Sequence, residues 1–169
     1  MFGIIVDKKN SLIRAAFGFN VLLLGAAEYI FSRPPESSHI GILIKRIAGN
    51  IPKINLFGIL GGVMPDFAHA CAFSLFTLVL FPRAVRKMRI LICLFWLAID
   101  VFFETGQYFG QQISGLINTI LPPNTVAALL KGYFVNGKYD PMDILAMVLG
   151  VGTAFLIGEL TTKQGGLKK

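Results

Sequence analysis

Apolar residues fall into four blocks along the chain, separated by turn-rich or basic stretches. The first is residues 11–31, SLIRAAFGFNVLLLGAAEYIF, and the second is 65–82, PDFAHACAFSLFTLVLFP. The third covers 90–109, and the fourth is 142–160, MDILAMVLGVGTAFLIGEL. Each is close to the roughly 20 residues a helix needs to cross a bilayer. Local punctuation agrees with this division. Ser11 is placed to cap the first helix, Pro65 suits the first turn of the second, and Pro82 ends it. Gly150 and Gly152 would let a neighbour approach the fourth closely. Residues 32–39, SRPPESSH, form a break. Residues 40–64 carry a short amphipathic pattern and a Gly-rich approach, expected on the membrane surface or dipping into it. Residues 110–141 read as a loop holding one short interfacial helix, TVAALLKGYF, capped by Asn124, and an Asn136-Gly137 turn. The pattern predicts an all-α fold. It is a transmembrane four-helix bundle with short interfacial helices in the outer loops, forming a single integral membrane domain over residues 1–169.

Polar positions inside the blocks are few and patterned. Asp100, Glu104, Gln107 and Gln111 are spaced four, three and four apart, so on one continuous helix they share a face. Asp66, His69 and Phe73 share a face of the second block, and Asn20 and Glu28, eight apart, are assigned to one face of the first. A carboxylate within a membrane-length apolar segment is costly unless it meets protein or water. Something must cover these faces, and the other helices are the available cover.

Composition supports a membrane solvent. The 169 residues are 54% hydrophobic and only 15% charged, with a mean hydropathy of +0.68, whereas soluble domains are about 25% charged. The net charge of +7 is explained by cations at the cytoplasmic edges of membrane helices. No basic–aromatic stripe accompanies it, so nucleic acid is not an expected partner. Cys71 and Cys93 lie singly in apolar blocks without a CxxC spacing and are expected as small core residues, not a disulfide. The first block follows basic residues as a signal peptide would. It carries Glu28 and lacks a small-x-small site, so it is expected as a retained helix.

Four spans put both termini and the 83–89 loop on one side. Ten Lys and Arg lie there, including the dense Arg83, Arg86, Lys87, Arg89 cluster, against six on the other side. The positive-inside rule then places the N and C termini in the cytoplasm. In that orientation Glu28, Asp66, His69, Glu104, Gln107, Asp140 and Asp143 all reach the outer leaflet, and Asp100 lies about 13 Å below the outer end of its helix. The expectation is an outward-open polar pocket between four helices, closed toward the cytoplasm by Leu, Phe and Val, with Asn20 and Glu159 as isolated polar exceptions.

Three stretches resemble the VanZ-like family of small bacterial membrane proteins. Asp66-Phe-Ala-His69-Ala-Cys-Ala-Phe73 is similar to its Asp-x-x-His-Phe helix start, and Glu104-Thr-Gly-Gln107 to its Glu-x-x-Gln helix end. Lys138-Tyr-Asp-Pro-Met-Asp143-Ile-Leu-Ala-Met-Val-Leu-Gly150 is similar to its basic-x-x-x-x-Asp-x-x-x-Asn-x-x-Gly segment. Order and approximate spacing match across residues 60–155. The chain departs at Met147, where the family usually has Asn, and at Lys138, where Arg is common. If the family's chemistry needs that Asn, this chain keeps the scaffold without the activity. The resemblance implies a small helical bundle in the bacterial plasma membrane, with a link to glycopeptide-antibiotic resistance.

Two function classes follow. In the first, the pocket binds or acts on an envelope lipid or a lipid-linked cell-wall precursor. Asp66, His69, Glu104 and Asp143 are the candidate acid–base groups, and Lys138, Arg33 and Lys131 lie on the side where a phosphate head would sit. Asp66, His69 and Glu104 are also the candidate ligands for a divalent cation; the residues specify no other cofactor. The same groups equally suit a hydrogen-bonded lock between helices. In the second class, the chain is a non-catalytic structural or assembly subunit of a larger membrane complex, with its many Phe residues facing partner subunits or membrane lipids. A transporter is disfavoured by the absence of inverted repeats and broken helices, and no Gly-x-Ser-x-Gly nucleophile motif occurs.

Overall fold

A computed structural model describes residues 8–32, 46–47, 49, 53–54 and 56–166. Among them six α-helices and no strands occur: α1 Lys8–Ser32, α2 Met64–Leu80, α3 Arg86–Tyr108, α4 Gly110–Ile120, α5 Thr125–Asn136 and α6 Pro141–Gly166. A 3-10 turn at Gly58–Gly62 leads into α2. The all-α class is therefore observed. Most of the 40–53 surface segment, together with Arg33, lies outside the described residues.

Small residues decide how the helices pack. Ala68, Ala70, Cys71, Ala72 and Ser74 are fully buried in the middle of α2, so α1, α3 and α6 can all lie against it. Without long side chains between them, backbones come close and dispersion contacts are dense. A methyl group at Gly150 of α6 would sit 2.5 Å from the Phe67 carbonyl, and one at Gly25 of α1 would sit 2.5 Å from Ala68 Cβ. Gly152, in contrast, faces open space, so of the two glycines expected to permit close approach only Gly150 does. α1 and α3 run one way and α2 and α6 the other, as pairs at opposite ends show: Arg14 meets Thr161, and Glu104 meets Asp140. The two thiols, Cys71 and Cys93, are free and buried.

The end that gathers the start of α1 and the end of α6 is fastened by two buried arginines. Arg14 is 1% exposed. Its guanidinium donates to Thr161 Oγ1 at 2.8 Å, Thr162 Oγ1 at 2.9 Å and the Leu78 carbonyl at 3.0 Å. That carbonyl belongs to the last turn of α2, where it has no intrahelical partner and where the helix dipole favours a cation. Arg89 pairs with Glu159 at 2.6 Å and also donates to the Ala84 carbonyl. Glu159 is thus no isolated exception, and two of the cations counted at the cytoplasmic edge, Arg14 and Arg89, are buried and bonded between helices.

Two helices, Lys8–Ser32 and Pro141–Thr162, are long and apolar enough to cross a membrane by length and composition. The apolar α2 is shorter at 17 residues, and α3 carries Asp100 and Glu104. Only 22% and 39% of the most apolar windows of α1 and α6 is buried within the described residues. Leu12, Phe19, Leu94, Phe95, Phe102 and Leu156 are each more than half exposed. Apolar surface this extensive marks contact with a partner or a membrane.

Several local expectations are revised. α1 begins at Lys8, so Ser11 is a buried interior residue and not its cap. Eight residues advance a helix by about 80° beyond two full turns, so Asn20 and Glu28 do not share a face. Asn20 is exposed and bonds back to the Ala16 carbonyl, while Glu28 is buried. The loop expected at 110–141 contains two helices. α3 breaks at Phe109, which removes Gln111 from the Asp100 face, and α4 then forms a hairpin with α5. Ile117, Ala127 and Phe134 make its core, with Phe103 of α3 stacked on Phe134 at 5.7 Å. The break needs Gly110, because a Cβ there would be 2.2 Å from the Phe134 carbonyl oxygen. Asn124 caps α5 as expected, accepting from the Ala127 N–H.

Candidate functional site

The polar residues of α2, α3 and the start of α6 gather at the end of the bundle away from the two arginines. The first layer is a pair across α2 and α3. His69 Nδ1 lies 2.9 Å from Asp100 Oδ1. Asp100 is 6% exposed, whereas the His69 side chain is 46% exposed. The imidazole packs on Phe73, ring centroids 4.3 Å apart, and meets the edge of Trp96. Trp96 is itself held by a hydrogen bond from its indole N–H to Thr77 Oγ1 at 2.9 Å. A buried carboxylate thus orients an accessible imidazole, an arrangement suited to moving a proton or gripping a donor.

The second layer is built on Glu104, which is 3% exposed. Its Oε1 accepts from the Asp140 backbone N–H at 2.7 Å, and its Oε2 accepts from Gln107 Nε2 at 3.2 Å. The same Gln107 nitrogen lies 3.0 Å from the Tyr133 hydroxyl. Glu104 therefore ties α3 to α5 and to the start of α6, with both oxygens engaged. Asp140 caps α6: its Oδ1 accepts from the Met142 N–H at 2.9 Å, with Pro141 in the first helical position.

Three adjoining hollows open around the start of α2. One, about 380 Å³, is lined by Asp66, His69, Asp100, Phe103, Tyr133 and Met147, among others. The second, about 450 Å³, is polar, with Asp66, Glu104, Gln107, Tyr133, Lys138 and Asp143 in its wall. The third, about 260 Å³, is an apolar groove between α1 and α2 formed by Leu22, Gly25, Ala26, Ile30 and Ala68. Pro65 borders all three, and His69 borders the first and third. Burial pushes the Tyr133 phenol above its ordinary pKa; the Gln107 hydrogen bond opposes this, and the neighbouring carboxylates Glu104, Asp66 and Asp100 add to it.

The structure brings together Asp66, His69, Asp100, Glu104, Gln107, Lys138 and Asp143. It does not place Glu28 in these walls. That residue is 1% exposed, and its Oε2 accepts from the Leu56 N–H at 3.1 Å, tying α1 to the segment before the 3-10 turn. Asp140 serves as a cap, and Lys131 is bonded to Asn118 at 2.7 Å. Among the described residues, no three His, Cys, Asp or Glu side chains converge to hold a metal ion. Asp66, His69 and Glu104 do not form that ligand set, because His69 is turned to Asp100 and Glu104 is committed to Asp140 and Gln107. Tyr133, Phe103 and Tyr29, the last bordering the second and third hollows, were not anticipated. Comparison with family models, with curated proteins and with solved structures finds no match to this chain.

Proposed function

We propose that the chain is a VanZ-like membrane protein whose four long helices span the bacterial plasma membrane with both termini cytoplasmic, and whose outward pocket holds an envelope lipid or lipid-linked cell-wall precursor. One observation carries this reading: a polar hollow and an apolar groove share Pro65 in their walls, so a ligand with a polar head and an apolar tail has a place for each end. The resemblance gains support from the same geometry. Asp66 and His69, Glu104 and Gln107, and Lys138 and Asp143 come from three separate motifs and border two adjoining hollows that share Pro65, Asp66 and Tyr133. Belts of exposed Leu and Phe on α1, α3 and α6 supply the lipid-facing surface.

The test is native mass spectrometry of the protein extracted in mild detergent, with identification of every bound species. A lone or homo-oligomeric chain carrying an envelope lipid is the expected result. A chain stripped of lipid, or one bound in fixed ratio to other polypeptides, would reject it. The latter would favour the second reading, a non-catalytic structural or assembly subunit. That reading draws support from Glu104, whose two oxygens are both occupied within the chain, as in a helix lock.

A further inference from the structure

Charge is sorted by end in this bundle. Among the described residues, Asp66, Asp100, Glu104, Asp140 and Asp143 gather at the pocket end. At the other end the described carboxylate is Glu159, and it is paired with Arg89. That end exposes cations instead. Arg83, Arg86 and Lys87 are exposed within five residues at the turn between α2 and α3, and the exposed Lys8 and Lys9 open α1 at the same end. The first turn of α3 carries no acidic residue to neutralise them. The turn is also held in one shape. Ala84, 7% exposed, packs with Leu78 and Ile92. Its N–H donates to the Phe81 carbonyl at 3.0 Å, and its own carbonyl accepts from the buried Arg89 guanidinium. Leu80, Phe81 and Val85 are 75%, 45% and 69% exposed, so apolar and cationic side chains interleave along a fixed turn. Cations beside apolar residues at the end of a membrane helix complement a surface that is anionic outside and apolar beneath.

We infer that the α2–α3 turn is a binding surface for anionic phospholipid, with the phosphate heads on Arg83, Arg86 and Lys87 and the upper acyl chains against Leu80, Phe81 and Val85. The inference is independent of the pocket and rests on the membrane reading alone; in that orientation the surface meets the inner leaflet. A zwitterionic lipid offers the same apolar layer without net charge. Selectivity for anionic heads, carried by these three cations and screened by salt, is therefore the signature of the site.

The experiment places the full chain in nanodiscs containing equal amounts of phosphatidylglycerol and phosphatidylcholine with identical acyl chains. Lipids that stay on the protein after release into mild detergent are identified by native mass spectrometry and compared with the bulk. Enrichment of the glycerol lipid by about tenfold is expected at low salt, since each cation near an anionic surface contributes about fivefold and the three share their heads. Screening should bring the ratio close to the bulk at about 0.5 M salt. Arg83→Gln/Arg86→Gln/Lys87→Gln should remove the enrichment, and each single change should lower it in part. The charge-keeping Arg83→Lys/Arg86→Lys/Lys87→Arg should retain it. So should Lys53→Gln, at an exposed position beside the far end of α1. The single changes and the wild-type salt dependence decide the question even if the triple change fails to fold. Wild-type lipid that mirrors the bulk, or enrichment that the glutamine changes leave intact, overturns the site and leaves the membrane reading standing. A polypeptide retained in fixed ratio and released by the same changes overturns it in favour of an acidic protein partner. A chain that does not enter nanodiscs removes the membrane reading and this inference together.

Discussion

Arg14 offers a sharp test of how the bundle is closed. A cation near a helix end that reaches for water loses little when replaced by lysine. The structure gives Arg14 a different task, because its planar fork makes three hydrogen bonds of 3.0 Å or shorter to two other helices. Lysine keeps the charge but cannot reach all three partners at once. Losing two such bonds at about 0.6–1.5 kcal/mol each predicts a loss of about 1–3 kcal/mol for Arg14→Lys. Arg14→Met loses all three and leaves the Leu78 carbonyl bare at the end of α2, so about 2–4 kcal/mol is expected. The Gly158 carbonyl, which Arg14 also reaches at 3.4 Å, is not stranded, because Thr162 Oγ1 still donates to it at 2.7 Å. The release of a buried charge offsets part of the loss, and the ranges allow for it. The assay is equilibrium unfolding in a denaturing-detergent titration, with Lys9→Met at an exposed position as control. Wild-type stability in Arg14→Lys would refute the fork and return Arg14 to the role of a solvated edge charge.

Other expectations follow from the same contacts. Gly110→Ala should destabilise by about 1–3 kcal/mol, because its Cβ would meet the Phe134 carbonyl, whereas Gly152→Ala, facing open space, should leave the thermal midpoint unchanged or slightly raised. Arg89→Ala should cost about 2–3 kcal/mol by removing the ion pair with Glu159 and the bond to the Ala84 carbonyl; a double-mutant cycle with Glu159→Gln should show a coupling of about 1 kcal/mol or more, and strict additivity would contradict the pair. Asn124→Ala should cost about 1 kcal/mol, read as faster amide hydrogen exchange in the first turn of α5, and unchanged exchange would argue against the cap.

Long-range geometry was legible wherever sequence spacing and topology acted together. Asp66, His69, Glu104, Gln107 and Asp143 fall at one end of the bundle because antiparallel helices bring the start of one beside the end of the next. What the sequence hid depended on partners far away in the chain. Arg14 and Arg89 look like edge cations until Thr161, Leu78 and Glu159 are placed beside them. Glu28 sits at the correct level but turns toward the Leu56 backbone instead of the pocket. Of the α4–α5 hairpin only α5 was expected, because QQISGLINTI in α4 is too polar to read as a span and too short to read as a strong helix alone. Phe103, Ile113 and Phe134 hold it in place. Tyr133 reaches the pocket because α4 folds α5 back against α3, a placement that the short α5 pattern alone does not reveal.

The central claim is that the polar end of a membrane bundle faces outward, opposite the termini. Substituted-cysteine labelling tests this directly, since Cys71 and Cys93 are buried and contribute little background. Lys138→Cys, at the pocket mouth, should react with a membrane-impermeant maleimide in intact cells, and Lys9→Cys should react only after the membrane is breached. The reverse pattern, or a chain that fractionates with soluble protein, would contradict the account.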